Sequence, residues 1–141
     1  MEYKRFGSKY VVRLNKGEEV ITALKEVCAT ENIRLGTISG IGAVNKATIG
    51  LFETAAKIYH SNEYTGDMEV TSLSGNITRQ NGEVYLHVHV CLGDITNRVV
   101  GGHLSSAIVS ATLEVVIDVI DGSVDREFSD EIGLNLLDFT K

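Results

Sequence analysis

The sequence predicts an α+β domain, with one helix packed on a mostly antiparallel sheet that is barrel-like or two-layered. Three observations carry this. Helical periodicity occurs once, over residues 18–30, where Val20, Ile21, Leu24, Val27 and Cys28 follow the i, i+1, i+4, i+7, i+8 spacing of a single buried face. Elsewhere the apolar residues alternate, or run in short stretches bounded by glycine, asparagine and aspartate. The turn signals suit antiparallel neighbours, Asn81-Gly82 above all.

The first strand is expected over residues 9–14, rich in Tyr and Val. Asn15-Lys16-Gly17 turns the chain into the helix, whose first turn holds Glu18 and Glu19, where the helix dipole favours acids. Strands then follow over 34–44, which contains Gly36, Gly40 and Gly42, over 47–53, and over 57–64 after a turn at Thr54-Ala55-Ala56. Thr65-Gly66-Asp67 sets apart the next strand, 68–80. Residues 83–92 alternate most cleanly. Val84, Leu86, Val88, Val90 and Leu92 point to the core, and Glu83, Tyr85, His87, His89 and Cys91 to the other face. The long strand 107–120 places Ala107, Val109, Ala111, Leu113, Val115, Ile117 and Val119 inside, with Ser110, Thr112, Glu114 and Asp118 opposite. Residues 134–139 read as a short closing strand.

At 141 residues the chain fits one domain, 1–141, large enough to bury roughly two-thirds of its unfolded surface without disulfide or metal support. No apolar run is long enough to span a bilayer as a helix, and Met1-Glu2-Tyr3-Lys4-Arg5-Phe6 lacks a signal peptide's apolar stretch, so a cytoplasmic location is expected. Cys28 and Cys91 form no CxxC pair, which excludes a thiolate zinc cluster. The net charge is −6 and the thirteen Lys and Arg residues are dispersed, with Lys4-Arg5 the longest basic run. A duplex-DNA binder draws its affinity largely from phosphate neutralisation, so this balance weighs against nucleic acid. Proline is absent where average usage predicts about seven, which leaves no Pro-containing minor-groove arm.

The chemistry concentrates in three of the four histidines. His87 and His89 lie two positions apart on a strand, so their side chains share a face with Cβ atoms about 6.6 Å apart, within reach of one ion. His103 follows fourteen residues after His89, across the turn at Gly93-Asp94-Ile95-Thr96-Asn97, and a hairpin return delivers it to the same place. Gly101 and Gly102 leave the backbone unencumbered beside it, which suits close approach to an ion. Three imidazoles suit a divalent metal, zinc first among them, and three histidines plus a water is a common catalytic zinc arrangement. The plainer account is a solvated strand face that happens to carry histidines.

Glu114, on the non-core face of its strand, is the candidate fourth ligand or general base, against an ordinary solvated glutamate. Cys91 reads as a packing residue, His60 as a surface residue, and Arg13 as one half of a surface ion pair. Ser39-Gly40-Ile41-Gly42-Ala43 lacks the third glycine and the strand-to-helix context of a dinucleotide fingerprint.

Taken in order, several runs resemble the plants-and-prokaryotes conserved (PPC) domain family. They are Arg13-Leu14-Asn15-Lys16-Gly17-Glu18-Glu19, Gly40-Ile41-Gly42-Ala43, Leu73-Ser74-Gly75-Asn76-Ile77, His87-Val88-His89-Val90 and Val100-Gly101-Gly102-His103-Leu104. Glu114-Val115-Val116-Ile117 and Gly133-Leu134-Asn135-Leu136-Leu137 complete the set, which spans essentially the whole chain. The resemblance implies a compact α+β domain assembled as a homotrimer, with a divalent metal, commonly zinc, at His87, His89 and His103. Plant relatives carry an AT-hook that does the DNA binding. This chain has no hook and no basic extension, so the DNA-binding label of single-domain bacterial relatives transfers poorly. The fold is also similar to that of acetolactate decarboxylase, whose zinc sits on a comparable histidine set. The alternative function is therefore a metal-dependent enzyme acting on a small molecule, lyase- or decarboxylase-like or hydrolytic.

Overall fold

Alternation and turn chemistry together generate nearly all of the architecture. The computed structural model describes residues 1–140, in the order β1 (Glu2–Phe6), β2 (Lys9–Asn15), α1 (Val20–Thr30), β3 (Gly36–Glu53), β4 (Ile58–Gln80), β5 (Glu83–Gly93), β6 (Val99–Val119), β7 (Asp125–Ser129) and β8 (Leu134–Asp138). Six strands form one sheet in the order β1-β2-β6-β3-β4-β5, and β5 pairs back onto β6. β3, β4, β5 and β6 thus close into a ring, from which β2 and β1 extend. Every strand pairing is antiparallel. Strands β7 and β8 make a separate two-stranded sheet. The expected α+β class, with one helix and a barrel-like antiparallel sheet, is what the chain adopts.

The inward residues of the ring meet the helix in one contiguous apolar cluster. Val88, Val90 and Leu92 of β5 and Val109, Leu113, Val115 and Ile117 of β6 are buried, as their alternation requires. From α1, Val20, Ala23, Leu24, Val27 and Cys28 are buried against β5 and β6. Glu19 is the N-cap rather than a first-turn residue. Its carboxylate accepts from Ile21 N and Thr22 N, and from Ala107 N of β6. One side chain therefore caps the helix and ties it to the sheet. Glu18, just outside, accepts from Asn15 N and from the N-terminal ammonium.

Three expectations are corrected. The segments 34–44 and 47–53 are one strand, and so are 57–64 and 68–80. Gly66 does have φ +105, but its neighbours stay paired, Thr65 with Lys46 and Met68 with Val44. The extra residue is a β-bulge that bends a long strand instead of ending it. Ala111 is exposed, because β6 advances four positions from Val109 to Leu113 while β3 advances two between Val44 and Gly42, and the surplus bulges outward. Strands β1 and β7 were not expected. All five β1 residues are exposed, so no buried alternation marks them.

Candidate metal centre

β5 and β6 bring three histidines to one point. His89 lies directly opposite His103 across the β5–β6 ladder, and His87 leaves the same face of β5 two residues earlier. The ring centroids are 5.1 Å apart for His87–His89, 5.4 Å for His87–His103 and 5.7 Å for His89–His103. One ligating nitrogen from each lies within 4.8 Å of the others. Nε2 of His87 and Nε2 of His89 are 3.2 Å apart.

This spacing can be set against the demand of an ion. Zinc–imidazole bonds of about 2.0–2.1 Å at a tetrahedral angle separate two donors by about 3.3–3.4 Å. The His87–His89 pair already meets that distance, and the third nitrogen needs to close by no more than about 1.4 Å, within reach of side-chain rotation. Among the described residues no other group of His, Cys, Asp or Glu side chains has this geometry.

The electrostatics favour ligation. Partial burial lowers the pKa of His87, helped by His89, Arg126 and His103. Partial burial also lowers that of His103, helped by His89. Both shifts favour the neutral imidazole, whose lone pair is free for a cation. His89 is exposed, so the cluster opens to solvent on one side.

The surrounding strands explain the glycines nearby. Gly50 of β3 faces His103, and a Cβ there would lie 2.3 Å from the Tyr59 ring, which stands edge-on to His103 with centroids 6.1 Å apart. Tyr59 in turn shares a 2.9 Å hydrogen bond with Ser105. A Cβ on Gly102 would sit 2.6 Å from Gly50 O, and one on Gly101 2.9 Å from Val90 O. Close packing of β6 between β3 and β5 accounts for this glycine pair, in place of the expected approach to an ion.

The other candidates lie elsewhere. Glu114 is exposed, opposite Arg13 and Ile41, eleven residues along β6 from His103. That is about 36 Å of strand. It shares a shallow pocket with Glu69, Thr71 and Thr112, and within one chain it does not join the histidine group. Cys91 is exposed and also outside the group. His60 pairs with Glu53 at 2.8 Å on the surface, and Arg13 pairs with Glu2. Ser39 to Ala43 lie within β3, not at a strand-to-helix turn. Tyr59 and Arg126 were missed, since nothing in their sequence surroundings sets them apart from ordinary strand residues.

Residues 1–121 match the family model described as the Plants and Prokaryotes Conserved (PCC) domain. No functionally curated protein matches the chain. Among solved structures, a protein from Bacteroides thetaiotaomicron, provisionally named as DNA-binding, is 35% identical with a TM-score of 0.97, over 99% of this chain and 98% of that one. A metal-containing protein from Archaeoglobus fulgidus is 33% identical, with a TM-score of 0.86 over 96% of each chain. A plant- and prokaryote-conserved (PPC) protein from Pyrococcus horikoshii is 31% identical, with a TM-score of 0.86 over 99% of this chain and 95% of that one.

Proposed function

Because this chain belongs to the Plants and Prokaryotes Conserved (PCC) domain family, we propose that it is a homotrimeric metal-binding protein holding one divalent ion per subunit, zinc first among candidates, on His87, His89 and His103. The observation that carries this is the convergence of three imidazole nitrogens within 4.8 Å, one pair already at 3.2 Å. The name of the Archaeoglobus fulgidus relative as metal-containing supports it. The protein purified without chelators should carry close to one metal per chain, and His87→Ala with His89→Ala should remove it. Equal metal content in wild type and double variant would refute the site.

The trimer proposal draws support from exposed apolar side chains that a lone chain leaves in water, Phe128, Leu134, Leu136 and Leu137 on the β7–β8 sheet and the directly paired Val11 and Val116. Light scattering tests it, and a stable monomer at micromolar concentration contradicts it. We place the protein in the cytoplasm, as one domain over 1–141. No helix among the described residues is long and apolar enough to cross a membrane.

The second reading, a metal-dependent enzyme on a small molecule, is favoured by the solvent-facing side of the cluster. Bound zinc would supply Lewis acidity and an acidified water there. Glu114 remains the proposed base, and its distance along β6 means that a neighbouring subunit's copy would have to provide it. DNA binding is not proposed for this chain, although the Bacteroides thetaiotaomicron relative carries that provisional name. A net charge of −6 opposes it, and salt-dependent retention of duplex DNA would show otherwise.

A further inference from the structure

Arg126 of β7 is the one charged side chain classed as buried among the described residues, at 7% exposure, and it lies beyond the 1–121 span of the family match. Its Nε donates to Thr78 Oγ1 at 2.8 Å, one terminal nitrogen to Asn135 O at 2.9 Å and the other to Asn76 Oδ1 at 2.9 Å. The guanidinium carbon lies 4.5 Å from the Tyr85 ring centre. All of these partners are uncharged. A guanidinium has five N–H donors, and the three bonds use three of them.

Its position relates it to the histidines. Asn76 lies opposite His87 across the β4–β5 ladder, and Tyr85 precedes His87 by two residues on the same face of β5. A buried cation is costly unless an opposite charge meets it. A permanent charge buried among uncharged partners, two of them flanking His87, calls for an anion brought in by a ligand.

We propose that Arg126 is the anion-recognition group of the histidine centre, selecting small carboxylates that bind on the solvent-facing side of the metal. The inference rests on the metal reading above and names the ligand class for that site. Arg is suited to the role because its planar fork matches a carboxylate, and a charge-assisted pair in a dry setting is stronger than a neutral one.

The test uses the full chain loaded with cobalt(II), with the visible absorption bands followed while acetate, or the neutral isostere acetamide, is added. Acetate should shift the bands at concentrations where acetamide does not. Arg126→Gln should keep one cobalt per chain and weaken acetate at least tenfold, while Arg126→Lys, which keeps the charge without the fork, should weaken it less. Equal acetate affinity in wild type and Arg126→Gln overturns the role of Arg126. If Arg126→Gln does not fold, Arg126→Lys decides, and acetate affinity equal to the wild type in that variant overturns the proposal. Failure of the wild type to take up cobalt overturns the metal reading and the inference with it, a result distinct from the other two.

Discussion

Replacing Gly75 by alanine tests whether the β4–β5 spacing positions the histidine centre. Gly75 lies opposite Val88, and a Cβ there would sit 2.3 Å from the His87 carbonyl oxygen and 2.8 Å from Val88 Cα. Both neighbours are backbone, so no flexible side chain can yield. Ordinary non-bonded contact needs a retreat of about 1 Å by β5 at the residue that carries the first imidazole. Metal–ligand distances are held within about 0.2 Å, so the imidazole must re-aim to follow a shifted backbone, and disturbed support of ligands typically costs about 10–100-fold in affinity. The overpacking itself should cost about 1–3 kcal/mol, or about 3–9 °C in Tm for a chain of this size. Zinc affinity is measured by competition with a chromophoric chelator, and stability by calorimetry on the metal-free protein. Gly82→Ala is the control. Gly82 has φ +83 with nothing within 4 Å, so the substitution strains the hairpin by about 1–2 kcal/mol and should leave zinc affinity unchanged. If Gly75→Ala binds zinc as tightly as wild type, the β4–β5 spacing does not position His87 and the reasoning fails.

Glu19→Ala should lower stability by about 2 kcal/mol, or about 6 °C in Tm by calorimetry, since it removes the helix cap and the link to Ala107 together. Burial pushes the Glu19 carboxyl up, but hydrogen bonds from Thr22, Ile21 and Ala107 outweigh it and leave the pKa lowered, so this stability should fade as the protein is acidified below the usual carboxylate range. The metal-free protein should also lose stability as pH falls below about 6.5. His87 and His103 have folded pKa values below the unfolded one, so the unfolded chain binds more protons in that window and stability rises with pH. Denaturant titrations across pH 5–8 should show this slope, and His87→Ala with His103→Ala should flatten it. With a thiol reagent, Cys91 should react in the native protein while Cys28, buried and with its pKa pushed up to about 12, should react only on unfolding. Two fast thiols would contradict this placement.

What could be read in the residues follows from where the signals are local. The alternation of 83–92 and the Asn81-Gly82 turn, both residues at positive φ, define β5 completely, and with it the face of His87 and His89. His103 was expected beside them from the return length alone, and the β5–β6 register sets it directly opposite His89. The bulged strands misled for a physical reason. Thr65-Gly66-Asp67 has turn composition, but pairing with β3 on both sides keeps the chain extended through it. β1 and the environment of Arg126 were illegible because they depend on non-local partners. β1 pairs with no strand but β2, and Arg126 is buried because Thr78, Tyr85 and Asn135 surround it from three other strands. The glycines were visible and their cause was not, since a Cβ clash such as that between Gly102 and Gly50 exists only once β3 and β6 are paired.

The most direct measurement is diffraction from crystals of protein purified without chelators, with anomalous data collected across the absorption edges of zinc and its first-row neighbours. The account predicts one peak per subunit, about 2.0–2.1 Å from a nitrogen of each of His87, His89 and His103. No peak between the three rings, or rings turned apart with metal bound elsewhere, would contradict it.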